Sequence, residues 1–542
     1  MSVDEPDERT TSSGIPLKPV YGAEDVAGID AAVIDGRPGV APYLRGAYPG
    51  MYRTKPWRIF QLSGFGNPED EGARIRFLLE HGETGFIMEH DRNIADHLYD
   101  LDHPDVVARR EDVGQVGAVI FSARDYRTVL DGIAIESVYA HPGGGVVQHA
   151  PFTLACYWTE AGRRGIPLET LYGTNQADFF LTYVGCITKQ QVPTQAGLRL
   201  NADTIEFCLE HLPHWVPVSI AGYNGADTGL NAWQELGAVM ANAVEYIDAV
   251  VKRGRHTAAE VAPGVAGVNF RTSMDFFEDI AKLRASRKMW SELLRRRYRV
   301  TDPKAQRLRI HSLTAGSAMT YQQPLNNVVR GTLMALAGVL GGTQSLGVSG
   351  YDEAISVPSE HAHQMSLRIQ QILQSESRLT DVADPLGGSY FIESLTAEVE
   401  TRAWEFFEQI QSRGGFIACL DSGWMHARAS ENQIKLFDEI ESGARSVVGV
   451  NTAKGDAGTF EVEGFRGTSD AWERGMERLT ALRRNRDASR ARETTQALRA
   501  ACAGSTNVMP AMMDAVAADV TVGEIGDVFR AVFGDWKVPI EF

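Results

Sequence analysis

Between Tyr48 and Thr396 the sequence alternates. Short apolar runs of strand length are each followed by longer stretches of helical periodicity. That rhythm specifies βαβ units and a parallel sheet. Gly117–Phe121 (GAVIF), Val216–Ile220 (VPVSI) and Leu308–Ser312 (LRIHS) read as strands. In Asn231–Arg253, apolar residues at 236, 239, 240, 243, 244, 247, 250 and 251 predict an amphipathic helix that stops at Gly254. Met274–Arg297 and Asn326–Leu340 predict two more helices. Strand–helix pairs repeated over so long a segment favour a closed (β/α)8 TIM barrel over a short open sheet. On this reading His311, followed by Ser312, stands at the end of a strand, where barrels carry function.

The flanks differ in texture. Residues 1–13 are charged and almost free of large apolar side chains, which predicts a mobile end. From Gly14 to about Gly46, Pro and Gly are frequent, but Ile15, Leu17, Val20 and Tyr21 predict an extended arm lying on another surface. Beyond Leu395 the chain turns helical. Glu398–Arg413 reads as a helix broken at Gly414-Gly415, Ala471–Ala501 as another, and RRNRDASRAR within it as a solvated face. Phe529, Val532, Phe533 and Trp536 predict a docked terminus. The expected division is an arm (1–47), a barrel (48–396) and a helical extension (397–542).

Composition narrows the function. Of 542 residues, 53 are Lys or Arg and 70 are Asp or Glu, a net charge of −17. That balance argues against nucleic acid as the main partner. A hydrophobic share of 44% excludes a mainly disordered chain. No apolar run is long enough for a bilayer, the start does not resemble a signal peptide, and the five cysteines form no CxxC pair. The expectation is a reduced, cytoplasmic protein. There is no GxxxxGK[ST], HExxH or GxSxG.

Four longer stretches say more: YPGMYRTKPWRIFQLSGF (48–65), HSLTAGSAMTYQQPLNNVVR (311–330), GTQSLGVSGYDEAISVP (342–358) and GIPLKPVYGAED (14–25). Together, and in order, they resemble the methylmalonyl-CoA mutase family of adenosylcobalamin-dependent carbon-skeleton mutases. The likeness is best to the large subunits of its two-subunit members, of the isobutyryl-CoA and 2-hydroxyisobutyryl-CoA mutase type. It implies a barrel threaded by the pantetheine arm of an acyl-CoA. It also implies a small cobalamin-binding partner carrying DxHxxG, a motif that does not occur here, with two copies of each chain. The cofactor would be adenosylcobalamin, its cobalt ligand coming from that partner. It carries the radical chemistry while the protein positions substrate and excludes quenchers.

The resemblance also implies site residues. Tyr48 and Met51 match positions near the substrate arm. Gln176, in GTNQAD, matches a glutamine beside the thioester. Glu353 matches the glutamate that meets the adenosyl ribose, with Gln344 and Ser345 as the adjacent polar pair, and His311 and Ser312 face the corrin side. Departures are as telling. Leu62 replaces an aromatic residue, as an aliphatic one does in 2-hydroxyisobutyryl-CoA mutases, and Glu89 falls where those enzymes place an aspartate for the substrate hydroxyl. The alternative is that Glu89 pairs with His90 or Arg92. The arginine that clamps a second carboxylate is Cys186 here, and a thiol cannot replace a bidentate guanidinium, which disfavours methylmalonyl-CoA and succinyl-CoA. Asn224 replaces the family histidine at the thioester carbonyl; it donates a hydrogen bond but delivers no proton. The basic contacts to the nucleotide are thinned: one arginine is Lys55, others fall at Phe60 and Gly264, and Arg53 and Arg58 are the candidates to compensate. Three readings follow: a mutase of a branched acyl-CoA lacking a second carboxylate, a mutase of a carrier-bound or otherwise unusual acyl thioester, and a non-catalytic mutase-like scaffold.

Overall fold

The computed structural model describes residues 9–185, 191–455 and 464–539. Its centre is a parallel barrel. Ten strand pieces form two five-stranded sheets, and all their pairings are parallel. They amount to eight strands, because two are broken once each and lend one half to each sheet. The strands are β1 (Arg58–Phe60 and Leu62–Ser63), β2 (Gly85–Met88), β3 (Tyr139–His141), β4 (Gly173–Thr174), β5 (Trp215–Val216 and Ser219–Ile220), β6 (Gly267–Thr272), β7 (Arg309–Thr314) and β8 (Ser345–Gly347). The first half of β1 pairs with β8 and its second half with β2, and β5 joins β4 to β6 in the same way, so the ring closes.

The breaks have causes. In β5 the gap begins at Pro217, which has no N–H for the ladder. In β1 the Gln61 N–H is taken by the Glu83 carboxylate. Gly117–Phe121, expected as a strand, is reduced to a single bridge between Ala118 and His90. Gly117 sits at φ +92°, and a Cβ there would meet the His90 carbonyl oxygen at 2.2 Å, so a side chain is excluded. The segment is a wedge above the barrel: Gly117 N–H bonds Gly64 O, Ala118 N–H bonds Glu89 O and Val119 N–H bonds Gly66 O.

Around the ring run α1 (Pro68–Glu80), α2 (Ala123–Val129), α3 (Ala150–Arg163), α4 (Thr194–His211), α5 (Ala232–Val251), α6 (Phe276–Tyr298), α7 (Asn326–Leu340) and α8 (Glu360–Ser375). The expected helices match α5, α6 and α7. Asn231 caps α5 in a reciprocal box with Gln234. Beyond them lie α9 (Tyr390–Ser412), α10 (Phe416–Asp421), α11 (Trp424–Glu441), α12 (Ala471–Asn485), α13 (Ala488–Ala503), α14 (Val508–Ala517) and α15 (Val522–Phe533). The stretch expected as one helix from Ala471 is two, because Asp487 starts a new N-cap on Ser489 and Arg490. Residue 396, the expected barrel boundary, falls inside α9.

The extension shares the barrel's core. One apolar cluster joins α5 and α6 to α9–α11 and Trp536, and a second joins α3 and α4 to α12–α15. Part of the arginine run is a clamp and not a solvated face: Arg483 meets Asp100 and Asp102, both at 2.7 Å, and Arg486 grips Glu524. The arm lies on the barrel's helices as expected. Ile15 is buried, Tyr21 meets Phe391 at 5.0 Å, and Val20 is exposed. Of the end expected to be mobile, residues 9–13 are docked, for Thr11 and Ser13 both donate to buried Glu278, and residues 1–8 lie outside the described residues. Among the described residues no helix is long and apolar enough to cross a membrane.

Candidate functional site

Along β6 and β7 burial alternates: outward residues are buried under helices, and inward ones are partly accessible. An ordinary barrel interior is filled by layers of side chains. Here the interior is a cavity of about 830 Å³, within the range of ligand sites. Its lining includes residues from the starts of the strands (Arg58, Tyr139, Gly267, Arg309, Gln344) and from beyond their ends (Glu89, Gln176, Asn224). One cavity therefore runs the length of the barrel. Leu62, inside the ring, is 45% accessible.

At the N-terminal mouth stand Tyr48, Met51 and Lys55, all lining the cavity. Arg307 lies over the Tyr48 ring at 5.7 Å and Arg58 over Tyr139 at 4.3 Å. The segment carrying them is anchored by fully buried Arg287, whose guanidinium donates to the carbonyls of Tyr43, Leu44 and Gly341 at 2.7–3.0 Å. Burial lowers that guanidinium's pKa to about 10.

Midway, His311 is the third residue of a six-residue strand, since β7 continues to Thr314. The expectation of a strand-end histidine is corrected accordingly. Its Nδ1 and Ser345 Oγ are 2.9 Å apart. Ser312 is fully buried and faces α7, with Gly338 against it, so it cannot face a corrin. Burial holds His311 near a pKa of about 3 and His141 near about 4, leaving neutral imidazoles in the lumen. Gln344 stands at the start of β8, its amide spent on Ile310 N–H (2.8 Å) and Gly342 O (2.7 Å). Glu353 lies after β8, at the other mouth, so the structure does not bring Gln344 and Ser345 together with Glu353.

At the C-terminal mouth, Gln176 follows β4 and Asn224 lies in the short helix Gly222–Asp227 after β5. Gln176 Nε2 is 3.5 Å from Asn224 Oδ1, so the two residues expected at one carbonyl are neighbours. Asp178 fixes both loops by accepting from Phe180 N–H, Ala221 N–H, Asn242 and Tyr246. Leu62 pairs with Ile87, and Glu89 is the next residue of β2's inward face. Its backbone is held by Ser63 O (2.6 Å) and Ala118 N–H (2.9 Å). No described residue donates to its carboxylate. Arg92 pairs with Asp96 at 2.6 Å, and burial pushes Glu89 up to about 7. Glu353 is likewise without a donor among the described residues; crowding by protein atoms, then by Asp352 and Asp227, raises it to about 7. Tyr223 and Gly316 stand beside it. Cys186 lies outside the described residues. Sequence reasoning missed Tyr139, His141, Asn269 and Arg309 in the lumen, which inward positions on confidently aligned strands would have revealed.

Fold and site define a parallel α/β-barrel enzyme with a ligand channel along its axis. The chain belongs to the methylmalonyl-CoA mutase family, whose model matches residues 10–535. It is 34% identical over 530 residues to the 2-hydroxyisobutanoyl-CoA mutase large subunit of Aquincola tertiaricarbonis, covering 97% of this chain and 92% of that one. It is 35% identical to the methylmalonyl-CoA mutase of Cereibacter sphaeroides (99% and 74% covered) and 34% to the mitochondrial one of Homo sapiens (97% and 69%). Enzymes of this family are isomerases, intramolecular transferases that depend on adenosylcobalamin.

Proposed function

We propose that this chain is the substrate-binding subunit of a mutase that rearranges a branched acyl thioester lacking a second carboxylate, of the isobutyryl-CoA or 2-hydroxyisobutyryl-CoA type, by a radical 1,2-shift. The observation that carries the reading is the lumen open from one mouth to the other. Protein interiors close-pack unless something occupies them, so the open channel disfavours a non-catalytic scaffold. A pantetheine arm enters past Tyr48, Met51, Lys55 and Arg58, with exposed Arg53 beside them, and its thioester reaches Gln176 and Asn224. Their amide N–H groups polarise the carbonyl without transferring a proton. Leu62 walls the acyl group, and Glu89 supplies the acceptor for a hydroxyl on it. Cys186 leaves a second carboxylate without a clamp.

Adenosylcobalamin, when bound, supplies a carbon-centred radical by cobalt–carbon homolysis. The residues present fit it in part: Glu353, a carboxyl without a described donor at the C-terminal mouth, suits a ribose diol, whereas Gln344 and Ser345 suit the substrate arm. We assign the cobalt ligand to a small DxHxxG partner, with two copies of each chain; the naming of the Aquincola relative as a large subunit supports a partner.

The test is reconstitution with a small DxHxxG protein and adenosylcobalamin, offering isobutyryl-CoA, 2-hydroxyisobutyryl-CoA, methylmalonyl-CoA and carrier-bound isobutyrate. Mass spectrometry and NMR should find the linear isomers of the first two. Preference for the carrier-bound ester would move the handle from CoA to a carrier protein. Equal turnover of methylmalonyl-CoA would refute the pocket, and full turnover by the lone chain without cobalamin would refute the partner.

A further inference from the structure

Backbone groups along a strand point alternately to its two neighbours. In β1, Arg58 N–H bonds Gln344 O on the β8 side, so the groups of Leu62, four residues on, face the same side. The pairing with β8 ends at Gly347 opposite Phe60. The Leu62 carbonyl therefore points to where the ladder has stopped. His363 of α8 fills the place: its Nε2 is 3.0 Å from Leu62 O, and its Nδ1 is 2.9 Å from Arg74 Nη1. A guanidinium only donates, so Nδ1 accepts and Nε2 carries the proton given to Leu62 O. The imidazole is 3% accessible and Arg74 is 3% accessible. Arg74 is itself fixed by Pro358 O at 3.2 Å and by the Phe65 ring at 4.7 Å.

We propose that His363, held by Arg74, is a positioning residue that fixes the unpaired half of β1 and so sets how far Leu62 projects into the acyl pocket. The inference rests on the reading of Leu62 as a wall of that pocket. A neutral imidazole locked in one tautomer transmits α8's position to a strand residue it does not neighbour in the sheet. Without it, Leu62 O loses its partner and β1 beyond Gln61 is tied only on the β2 side. The effect is confined to the acyl end, because the N-terminal mouth lies on the paired half of β1.

The test titrates the full chain calorimetrically with isobutyryl-CoA and with CoA itself. His363→Ala should weaken isobutyryl-CoA by about tenfold, the scale of a hydrophobic pocket losing its fit, and leave CoA affinity unchanged. His363→Gln, whose amide can donate to Leu62 O and accept from Arg74, should restore the ester's affinity; His363→Asn, too short to span both, should not. If His363→Ala folds poorly, the Gln and Asn variants carry the comparison. Equal weakening of both ligands, no weakening, or Asn matching Gln would overturn the proposal. Wild-type chain that binds neither ligand would instead refute the mutase pocket itself.

Discussion

Glu89 shows how much one lumen residue is asked to do. Its carboxyl is raised from an ordinary value of 4.5 to about 7 by burial. A carboxyl whose folded pKa lies above its unfolded one favours folding while protonated, and that advantage is lost as pH climbs from about 4.5 to about 7. Glu89→Gln should therefore melt at the wild-type temperature at pH 5 and above it at pH 8, read by calorimetry. Identical melting at both pH values would mean the carboxylate has found a donor. The same substitution should weaken 2-hydroxyisobutyryl-CoA at pH 8 and spare isobutyryl-CoA, since only the hydroxyl gives up a charge-assisted bond.

Among the elements, the anchored segment before β1 is the most exposed to a single change. Arg287→Met takes the donor from the Leu44 and Gly341 carbonyls, Tyr43 O keeping the Gly46 N–H, and should cost about 2 kcal/mol or more. Urea unfolding measures this, and trypsin should cut faster after Arg53 because the segment comes loose. Helices were legible in the sequence because their periodicity and caps are local: Asn326–Leu340 and the Asn231 cap of α5 needed no tertiary information. Strands were less so. Whether VPVSI runs unbroken depends on Pro217, and whether GAVIF pairs depends on a glycine conformation and on neighbours distant in sequence, Gly64, Gly66, Glu89 and His90. In the site, Gln176 and Asn224 were found through motif likeness, and the structure makes them neighbours. Gln344 stands apart from Glu353 because its amide is oriented by Ile310 N–H and Gly342 O, backbone groups that only the folded barrel brings to it. The link from His363 to Leu62 joins positions 301 residues apart, and nothing local announces it.

At the scale of the molecule, barrel and extension share their apolar clusters. A Cβ on Gly237 of α5 would meet Ala403 O of α9 at 2.5 Å, so the two helices touch backbone to backbone. Ending the chain at residue 396 would cut α9 and bare the apolar faces of α3–α6. Such a fragment should bind a hydrophobic dye and lose its cooperative melt; a sharp melt would mean the barrel stands alone. The lumen has a different consequence. Its wall is six residues tall at β7, about 20 Å along the strand. An occupant tethered outside one rim and reacting at the other is gauged by reach: a shorter stalk stops below the amide pair, a longer one overshoots it. On the proposed function the cylinder is a ruler, and a chemically correct acyl group on a stalk of the wrong length should not be turned over.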